Sequence, residues 1–145
     1  MSRLEEARSF REAFNQESLD NFSHYGFMKK KLWDLQLRLI SEESREFFEA
    51  ADELAEQPEN NVKREHVLKE LCDLVFVCYQ FAAAFNIDLD EALRRVYESN
   101  MSKLDEQGKP IYREDGKVLK GPNYQPPDLT HLYPKSNTAY DTNGK

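Results

Sequence analysis

Hydrophobic positions before residue 104 recur every three or four residues, which is the period of one face of an α-helix. This pattern predicts four helices. Their expected spans are roughly Arg3 to Gln16, Tyr25 into the Glu49–Glu56 region, Lys63 to Phe85, and from the capping residue Asp88 to near Lys103. The predicted fold class is therefore all-α, with the four helices packed as a bundle.

Glycine and proline become frequent only in the last part of the chain. One glycine and one proline precede residue 108, whereas four glycines and five prolines lie from there on. Asp115–Gly116, between Ile111–Tyr112 and Val118–Leu119, is typical of a β-hairpin turn, and three prolines between residues 122 and 127 favour an extended arm. We therefore expect a helical domain over residues 1–104, a hairpin and arm over 105–129, and a flexible tail over 130–145.

Composition narrows the classes of function. The 145 residues are enough for one domain with a real core, and the net charge of -7 argues against binding a nucleic-acid polymer. The start lacks the apolar stretch of a secretory signal, and the longest uncharged segment, Leu74–Ile87, is too short to cross a membrane. Cys72 and Cys78 are expected to be small core residues in a reducing compartment. These features predict a cytoplasmic protein without a membrane partner.

Acidic residues form two clusters with helical spacing. Glu42, Glu43 and Glu46 form an EExxE motif, and Glu70 and Asp73 form ExxD. Residues three apart share a helix face, and both clusters lie on apolar seams of consecutive helices that pack antiparallel. We therefore expect their carboxylates to converge between the second and third helices.

Converging carboxylates on an inward face are costly unless a cation neutralises them. Oxygen ligands of this kind suit Mg²⁺ or Mn²⁺, so the first interpretation is a metal site. The alternative is a rim of surface ion pairs, with Lys69, Arg45 and Arg64 as partners. A ferritin-like di-iron site is disfavoured because it needs Glu-x-x-His pairs, and neither Glu43 nor Glu70 has a histidine three residues later.

Four segments together resemble the MazG-like, all-α nucleoside triphosphate pyrophosphohydrolases, a superfamily that includes phosphoribosyl-ATP pyrophosphohydrolases and dimeric dUTPases. They are FREAFNQ (10–16), LRLISEESREFFEAADEL (37–54), ELCDLVFVCYQFAAAFNIDLDEAL (70–93) and the segment from SNMSKL to QPPDL (99–129). The resemblance covers about residues 8 to 129. It implies cleavage of a nucleoside triphosphate between the α and β phosphorus atoms, which releases monophosphate and pyrophosphate with Mg²⁺ or Mn²⁺.

The resemblance also implies roles for the acids. Glu43, Glu46, Glu70 and Asp73 are expected to hold the principal metal ion. Glu42 is expected either to bind a further ion or to orient and deprotonate the attacking water. Family habit, together with the limited apolar surface of four helices, further implies a homodimer or a dimer of dimers.

Substrate contacts are predicted outside the acidic motifs. The candidates are Asn100, Lys103, Lys120, Tyr124, Arg38 and Asn15. Those in NMSK and KGPNY are expected to contact phosphates and sugar, Arg38 either contacts phosphate or neutralises the acids, and Asn15 offers a donor and an acceptor to a base edge. The aromatic residues Phe14, Trp33 and Tyr25 are either base-stacking or core residues.

The preferred base remains open at this point. The C-terminal segment resembles one MazG-like subgroup more than the histidine-pathway enzymes, which places phosphoribosyl-ATP below the common NTPs and dNTPs. A role in control of the nucleotide pool follows from the class alone. The alternative function is a non-catalytic helical module that binds metal or nucleotide, or regulates a partner.

Overall fold

The protein is described by a computed structural model over residues 1–19 and 27–133, apart from the side chains of residues 27–29. Within these ranges the secondary structure consists of α1 (Arg3–Ala13), α2 (Phe27–Glu56), α3 (Asn61–Ala84) and α4 (Leu89–Met101). They divide into two compact units, Met1–Ile87 and Asp88–Tyr133. The predicted all-α class and its four helices are confirmed. No helix among the described residues has an apolar stretch long enough to cross a membrane.

Local sequence signals set the helix ends. The Ser2 hydroxyl accepts from the Glu5 amide and the Glu5 carboxylate accepts from the Ser2 amide, which makes a capping box at α1. Asp88 caps α4 by accepting from the Glu91 amide at 3.1 Å, as its sequence predicts. Asn86, with a φ of 53°, follows the end of α3 in the left-handed region that asparagine tolerates.

In the first unit, α3 packs against both α1 and α2. Leu32, Ala84 and Phe85 form its buried core cluster. The Trp33 ring lies 5.1 Å from the Phe81 ring and 5.2 Å from the Phe85 ring, both edge-on. Of the two roles considered for Trp33, the structure therefore favours the core. The uncharged segment Leu74–Ile87 supplies most of the buried hydrophobic residues of this unit.

The prediction that both cysteines lie in the core is wrong for Cys72, which is exposed, whereas Cys78 is half-buried. The reason is that α3 is apolar on two sides. Leu68, Leu71 and Val75 share the outward face with Cys72 and are also exposed. A hydrophobic pattern alone does not tell which apolar face of such a helix packs inward.

In the second unit, the C-terminal segment lies along α4. The Ser99 hydroxyl donates to the Gln125 carbonyl at 2.7 Å, and Arg95 donates to the Asp128 carbonyl at 2.8 Å. The predicted arm is thus held by its own helix. The tail prediction falls mostly on residues 134–145, which lie outside the described residues.

The predicted β-hairpin is not formed as a pair of strands in the second unit. Tyr112 and Val118 form one isolated antiparallel bridge around the turn at Gly116. Pro110 and Pro122 bracket this segment, and because proline has no amide hydrogen it cannot extend a ladder of hydrogen bonds. The predicted turn is present at Gly116, but the two predicted strands are not formed.

Candidate active site

Three carboxylates from two helices meet on the α2–α3 seam. Glu43 and Glu46 of α2 and Glu70 of α3 each place one carboxylate oxygen within 4.8 Å of the others. The spacing of three residues puts Glu43 and Glu46 on one face of α2, and packing of α3 against that helix brings Glu70 opposite them. The two motifs predict this convergence for four carboxylates, and the structure brings three of them within this distance.

The cluster is short of neutralising partners. Glu70 is only 4% exposed, and the Oε2 atoms of Glu43 and Glu70 are buried without a hydrogen-bond partner. A buried polar atom left unpaired costs about 1–3 kcal/mol, and more when it is charged. Burial, followed by the charges of the neighbouring carboxylates, raises the pKa of Glu43. Such a site favours a hard divalent cation with oxygen ligands, so Mg²⁺ or Mn²⁺ fits its donor set.

Two basic side chains lie beside Glu70. Lys69 Nζ is 3.1 Å from Glu70 Oε1 and 2.7 Å from Asp73 Oδ2, and His66 Nε2 is 2.9 Å from Glu70 Oε1. The hydrogen bonds to Asp73 and Glu70 raise the pKa of Lys69. His66 is not among the residues predicted from the sequence, although its position four residues before Glu70 places both on one helix face. These contacts give Oε1 of Glu70 its partners and leave its Oε2 unpaired.

The other two predicted acids each pair with a basic side chain on their own helix. Asp73 is half-exposed and turned toward Lys69. Glu42 is exposed, and its Oε1 lies 3.9 Å from Arg38 Nε one helical turn earlier. Arg38 thus has a carboxylate partner, in agreement with the neutralising role considered for it.

Surface ion pairs of the kind that the alternative interpretation predicts are also present in the first unit. Arg45 lies 2.9 Å from Glu49 and 3.7 Å from Glu46, and Arg64 pairs with Glu59 at 3.1 Å. These pairs are exposed, and exposed pairs contribute little to stability. Lys69, the third partner of that alternative, does pair with Glu70 and Asp73. None of these ion pairs supplies a hydrogen bond to the Oε2 atoms of Glu43 and Glu70.

In the second unit, the predicted substrate residues form two pairs. Lys103 Nζ donates to Asn100 Oδ1 at 2.7 Å. Lys120 Nζ lies 4.5 Å from the centre of the Tyr124 ring, a cation–π distance. Both ammonium groups are near the surface of this unit, where an anionic ligand could contact them.

Gly121 allows the segment that carries Lys120 and Tyr124 to lie against the end of α4, next to Lys103. Its amide donates to the Lys103 carbonyl at 2.8 Å. A Cβ atom at this position would lie 2.5 Å from the Leu104 carbonyl oxygen and 2.6 Å from that of Lys103. Glycine is therefore required for the close approach of this segment to the end of α4.

Asn15 and Phe14 lie at the C-terminal end of α1. Asn15 is exposed and has a φ of 51°, so its backbone terminates the helix. Phe14 is 64% exposed and its ring stacks on Phe10 with 4.4 Å between centres. Tyr25 lies outside the described residues. The described structure therefore places Asn15 and Phe14 at the surface of the first unit.

Arg11, which is not among the residues predicted from the sequence, is a buried polar group on α1. Arg11 is 2% exposed, and its guanidinium donates to Ser18 Oγ at 3.1 Å, to Gln16 Oε1 at 3.3 Å and to Gln80 Oε1 at 3.4 Å. Burial lowers the pKa of Arg11. The signal was present, because Arg11 continues the helical face of Leu4 and Ala7.

Comparison with known families agrees with the geometry. A family model described as Phosphoribosyl-ATP pyrophosphohydrolase matches residues 5–100, more than half of the chain. The match includes both acidic motifs and ends at Asn100, before Lys103 and the arm. No curated protein matches the chain. The resemblance inferred from the sequence is confirmed: the chain belongs to the phosphoribosyl-ATP pyrophosphohydrolase family, within the MazG-like superfamily.

Proposed function

We propose that this protein is a metal-dependent pyrophosphohydrolase that converts a nucleoside triphosphate into its monophosphate and pyrophosphate. Family membership supports the reaction class. The observation that carries the proposal is the pair of buried, unpartnered oxygens of Glu43 and Glu70 within a three-carboxylate cluster. Burying two carboxylate oxygens without partners costs free energy if the residues have only a structural role, whereas the same oxygens can serve as ligands in a site that binds a cation.

Glu43, Glu46 and Glu70 would hold the Mg²⁺ or Mn²⁺, with Asp73 as a further ligand from the same face as Glu70. When bound, such an ion neutralises phosphate oxygens and makes a water molecule more acidic. Glu42 lies beside the cluster and outside it, so we assign it the task of orienting the attacking water and accepting its proton. Arg38, at 3.9 Å, restrains the Glu42 carboxylate.

The polyphosphate needs cationic contacts that the acids do not offer. As the sequence predicts, we propose Lys103 and Lys120 of the second unit as phosphate contacts, with Asn100 and Tyr124 positioning the two ammonium groups within that unit. Phosphoryl transfer depends mainly on positioning and charge stabilisation, which these side chains can supply. We place common NTPs and dNTPs before phosphoribosyl-ATP as substrates, because residues 99–129 resemble the MazG-like subgroup, and we infer a role in nucleotide-pool control.

We further propose that the protein acts as a homodimer or a dimer of dimers. The outward face of α3 exposes Leu68, Leu71 and Val75, and a contiguous apolar stripe of this kind favours association. Light scattering is expected to give a mass of at least twice 17.0 kDa, and a monomer would contradict this.

The free thiols of Cys72 and Cys78 fit a reducing compartment, so we place the protein in the cytoplasm.

The direct test is a panel of the common NTPs and dNTPs with Mg²⁺ or Mn²⁺, followed by product analysis. We expect monophosphate and pyrophosphate in equal amounts from at least one of them. The variant Glu70→Gln should lose turnover, while Glu53→Gln, an exposed acid later on α2, should keep it. Release of inorganic phosphate alone, or equal activity in both variants, would contradict the proposal.

A non-catalytic metal- or nucleotide-binding module is the second candidate. It is favoured by the contacts of Lys69 and His66 with Glu70, which partly compensate the cluster without an ion. This module would bind Mn²⁺ or nucleotide in calorimetry and yield no product from any member of the panel. The two candidates therefore differ in turnover and not in binding.

A further inference from the structure

A cleft of 460 Å³ opens between α1, α2 and α3 in the first unit. Its walls are mainly apolar, and Leu32, Leu35 and Leu39 of α2 face Phe76 and Val77 of α3 across it. This volume lies within the range of small-molecule sites, which are mostly apolar with a few directed polar groups. The candidate active site described above does not use this space.

One polar group of the cleft has no partner. Gln36 lines the cleft, is 2% exposed, and its Oε1 atom is buried without a hydrogen bond. Gln80, on the facing helix, differs: its Oε1 accepts from Arg11 at 3.4 Å and its Nε2 donates to the Ala7 carbonyl at 3.3 Å. Buried side-chain oxygens are normally paired. The Gln36 oxygen is therefore an unused hydrogen-bond acceptor on a residue that lines the cleft.

The cleft and the carboxylate cluster lie on the same seam. Gln36 precedes Glu43 by seven residues on α2, and Val77 follows Glu70 by seven residues on α3. Seven residues are two helical turns, so each pair shares a helix face at an axial separation of about 10 Å. A ligand with its phosphates at the cluster would thus extend an apolar, ring-bearing end toward Gln36.

We infer that this cleft binds the nucleobase of the substrate, and that Gln36 is a specificity-determining residue whose Oε1 accepts a hydrogen bond from a ring N–H or amino group of the base. This inference rests on the proposed function for the position of the phosphates. The apolar walls suit the faces of a planar ring, and Phe10 and Phe76, with ring centres 5.1 Å apart, contribute aromatic surface to the cleft. A base without a donor at that edge would leave the glutamine oxygen unpaired and is therefore rejected.

The test measures binding, so that it does not depend on turnover. The probes are Mn²⁺, inorganic triphosphate with Mn²⁺, and the α,β-imido analogues of the common NTPs and dNTPs with Mn²⁺, titrated calorimetrically into the full chain. We expect Gln36→Leu to weaken the best nucleotide analogue about tenfold or more, with unchanged affinity for Mn²⁺ and inorganic triphosphate. Gln57→Leu, an exposed glutamine beyond the end of α2, is the matched control and should bind like the wild type.

A second probe isolates the hydrogen bond. The probe is an analogue of the preferred nucleotide that is methylated at its donor nitrogen. It should bind the wild type as weakly as the unmodified analogue binds Gln36→Leu. Its affinity for Gln36→Leu should show no further loss. Gln36→Met, an unbranched isostere, replaces the leucine variant if circular dichroism shows that the latter is unfolded. Equal losses for nucleotide and inorganic triphosphate, additive losses with the methylated analogue, or no nucleotide binding by the wild type would each overturn the inference. Nucleotide binding without hydrolysis would instead contradict only the proposed function.

Discussion

Glu43 of α2 and Glu70 of α3 each bury a carboxylate oxygen that no hydrogen-bond donor reaches, and with Glu46 they bring carboxylate oxygens within 4.8 Å of one another. Two opposing helices thus bring like charges together at a point where the fold supplies too few cations. The metal-free protein is expected to tolerate this arrangement at a cost, and a bound cation should reverse that cost. Measurements with and without metal separate these two effects.

Neutralising Glu43 should stabilise the metal-free protein and remove its response to metal. In Glu43→Gln the amide can donate to the neighbouring carboxylates, so we expect the free energy of unfolding without metal to rise by about 1–3 kcal/mol. The wild type should gain about 2.7 kcal/mol when free Mn²⁺ is one hundred times its dissociation constant, and the variant should gain much less. Chemical denaturation with and without Mn²⁺ measures both effects. The control is Glu53→Gln, and a destabilised Glu43→Gln protein would show that this carboxylate has a structural role.

The stability of the metal-free protein should depend on pH through Glu43. Its pKa is raised in the folded state, chiefly by burial and then by the charges of Glu46, Asp73 and Glu70. Between the unfolded pKa, about 4.3, and the raised folded pKa, the native state binds more protons than the unfolded state. Stability should therefore increase as pH falls through the folded pKa and level off below the unfolded value.

Metal should reverse that dependence, because a cation binds the deprotonated carboxylates. With Mn²⁺ present, we expect stability to increase with pH over the same interval. Unfolding curves at several pH values, with and without Mn²⁺, measure the two slopes. Glu43→Gln should flatten the metal-free slope, and an unchanged slope in that variant would assign the dependence to another group.

Lys69 occupies a position where it competes with a metal ion. Its ammonium contacts Asp73 at 2.7 Å and Glu70 at 3.1 Å, and its charge lowers the pKa of Glu43. In Lys69→Met we expect a less stable metal-free protein, a Glu43 pKa that is raised further, and tighter binding of Mn²⁺. Calorimetry gives the affinity, and carboxyl chemical shifts give the pKa. Lys63→Met, earlier on α3, is the matched control, and weaker Mn²⁺ binding in Lys69→Met would show that the ammonium group supports the metal site.

Local patterns were sufficient for the helices and for the meeting of the three acids. Capping by Asp88 and termination at Asn86 depend on neighbours a few residues away, and the facing of Glu43 and Glu70 requires only helical periodicity and antiparallel packing. The orientation of the Asp73 carboxylate cannot be predicted from these local patterns. Its carboxylate is directed to Lys69, four residues earlier on the same helix, and the choice between that partner and the cluster depends on side-chain energetics.

The remaining differences between prediction and structure concern which residues are buried. They have one physical origin, because the burial of a residue depends on its surroundings as well as its type. Cys72 is apolar and exposed, while Arg11 and Gln36 are polar and almost fully buried. Which side of α3 packs inward is decided by α1 and α2 together, and a single-helix pattern does not contain that information. The cleft beside Gln36 is formed by three helices packed together, so the sequence pattern of any one helix does not predict it.

Gly121 provides a test of the second unit that leaves the carboxylates untouched. In Gly121→Ala the new methyl group would meet the carbonyl oxygens of Lys103 and Leu104 at 2.5–2.6 Å, so the segment must move away from the end of α4. We expect a loss of about 1–3 kcal/mol in local stability. We also expect a rise in KM for the preferred nucleotide, since the segment that carries Lys120 would shift relative to Lys103. The affinity for Mn²⁺ alone should stay unchanged.

The matched control for Gly121→Ala is Gly116→Asn. Gly116 has a φ of 85°, a Cβ added there would meet no atom within 4 Å, and asparagine tolerates the left-handed region. This variant should keep both the wild-type KM and the hydrogen-exchange protection of the Gly121 amide, which donates to the Lys103 carbonyl. If Gly121→Ala loses that protection but keeps its KM, the close approach of the segment to α4 has a structural role alone. If both are lost together, the glycine positions the ammonium groups that contact the polyphosphate.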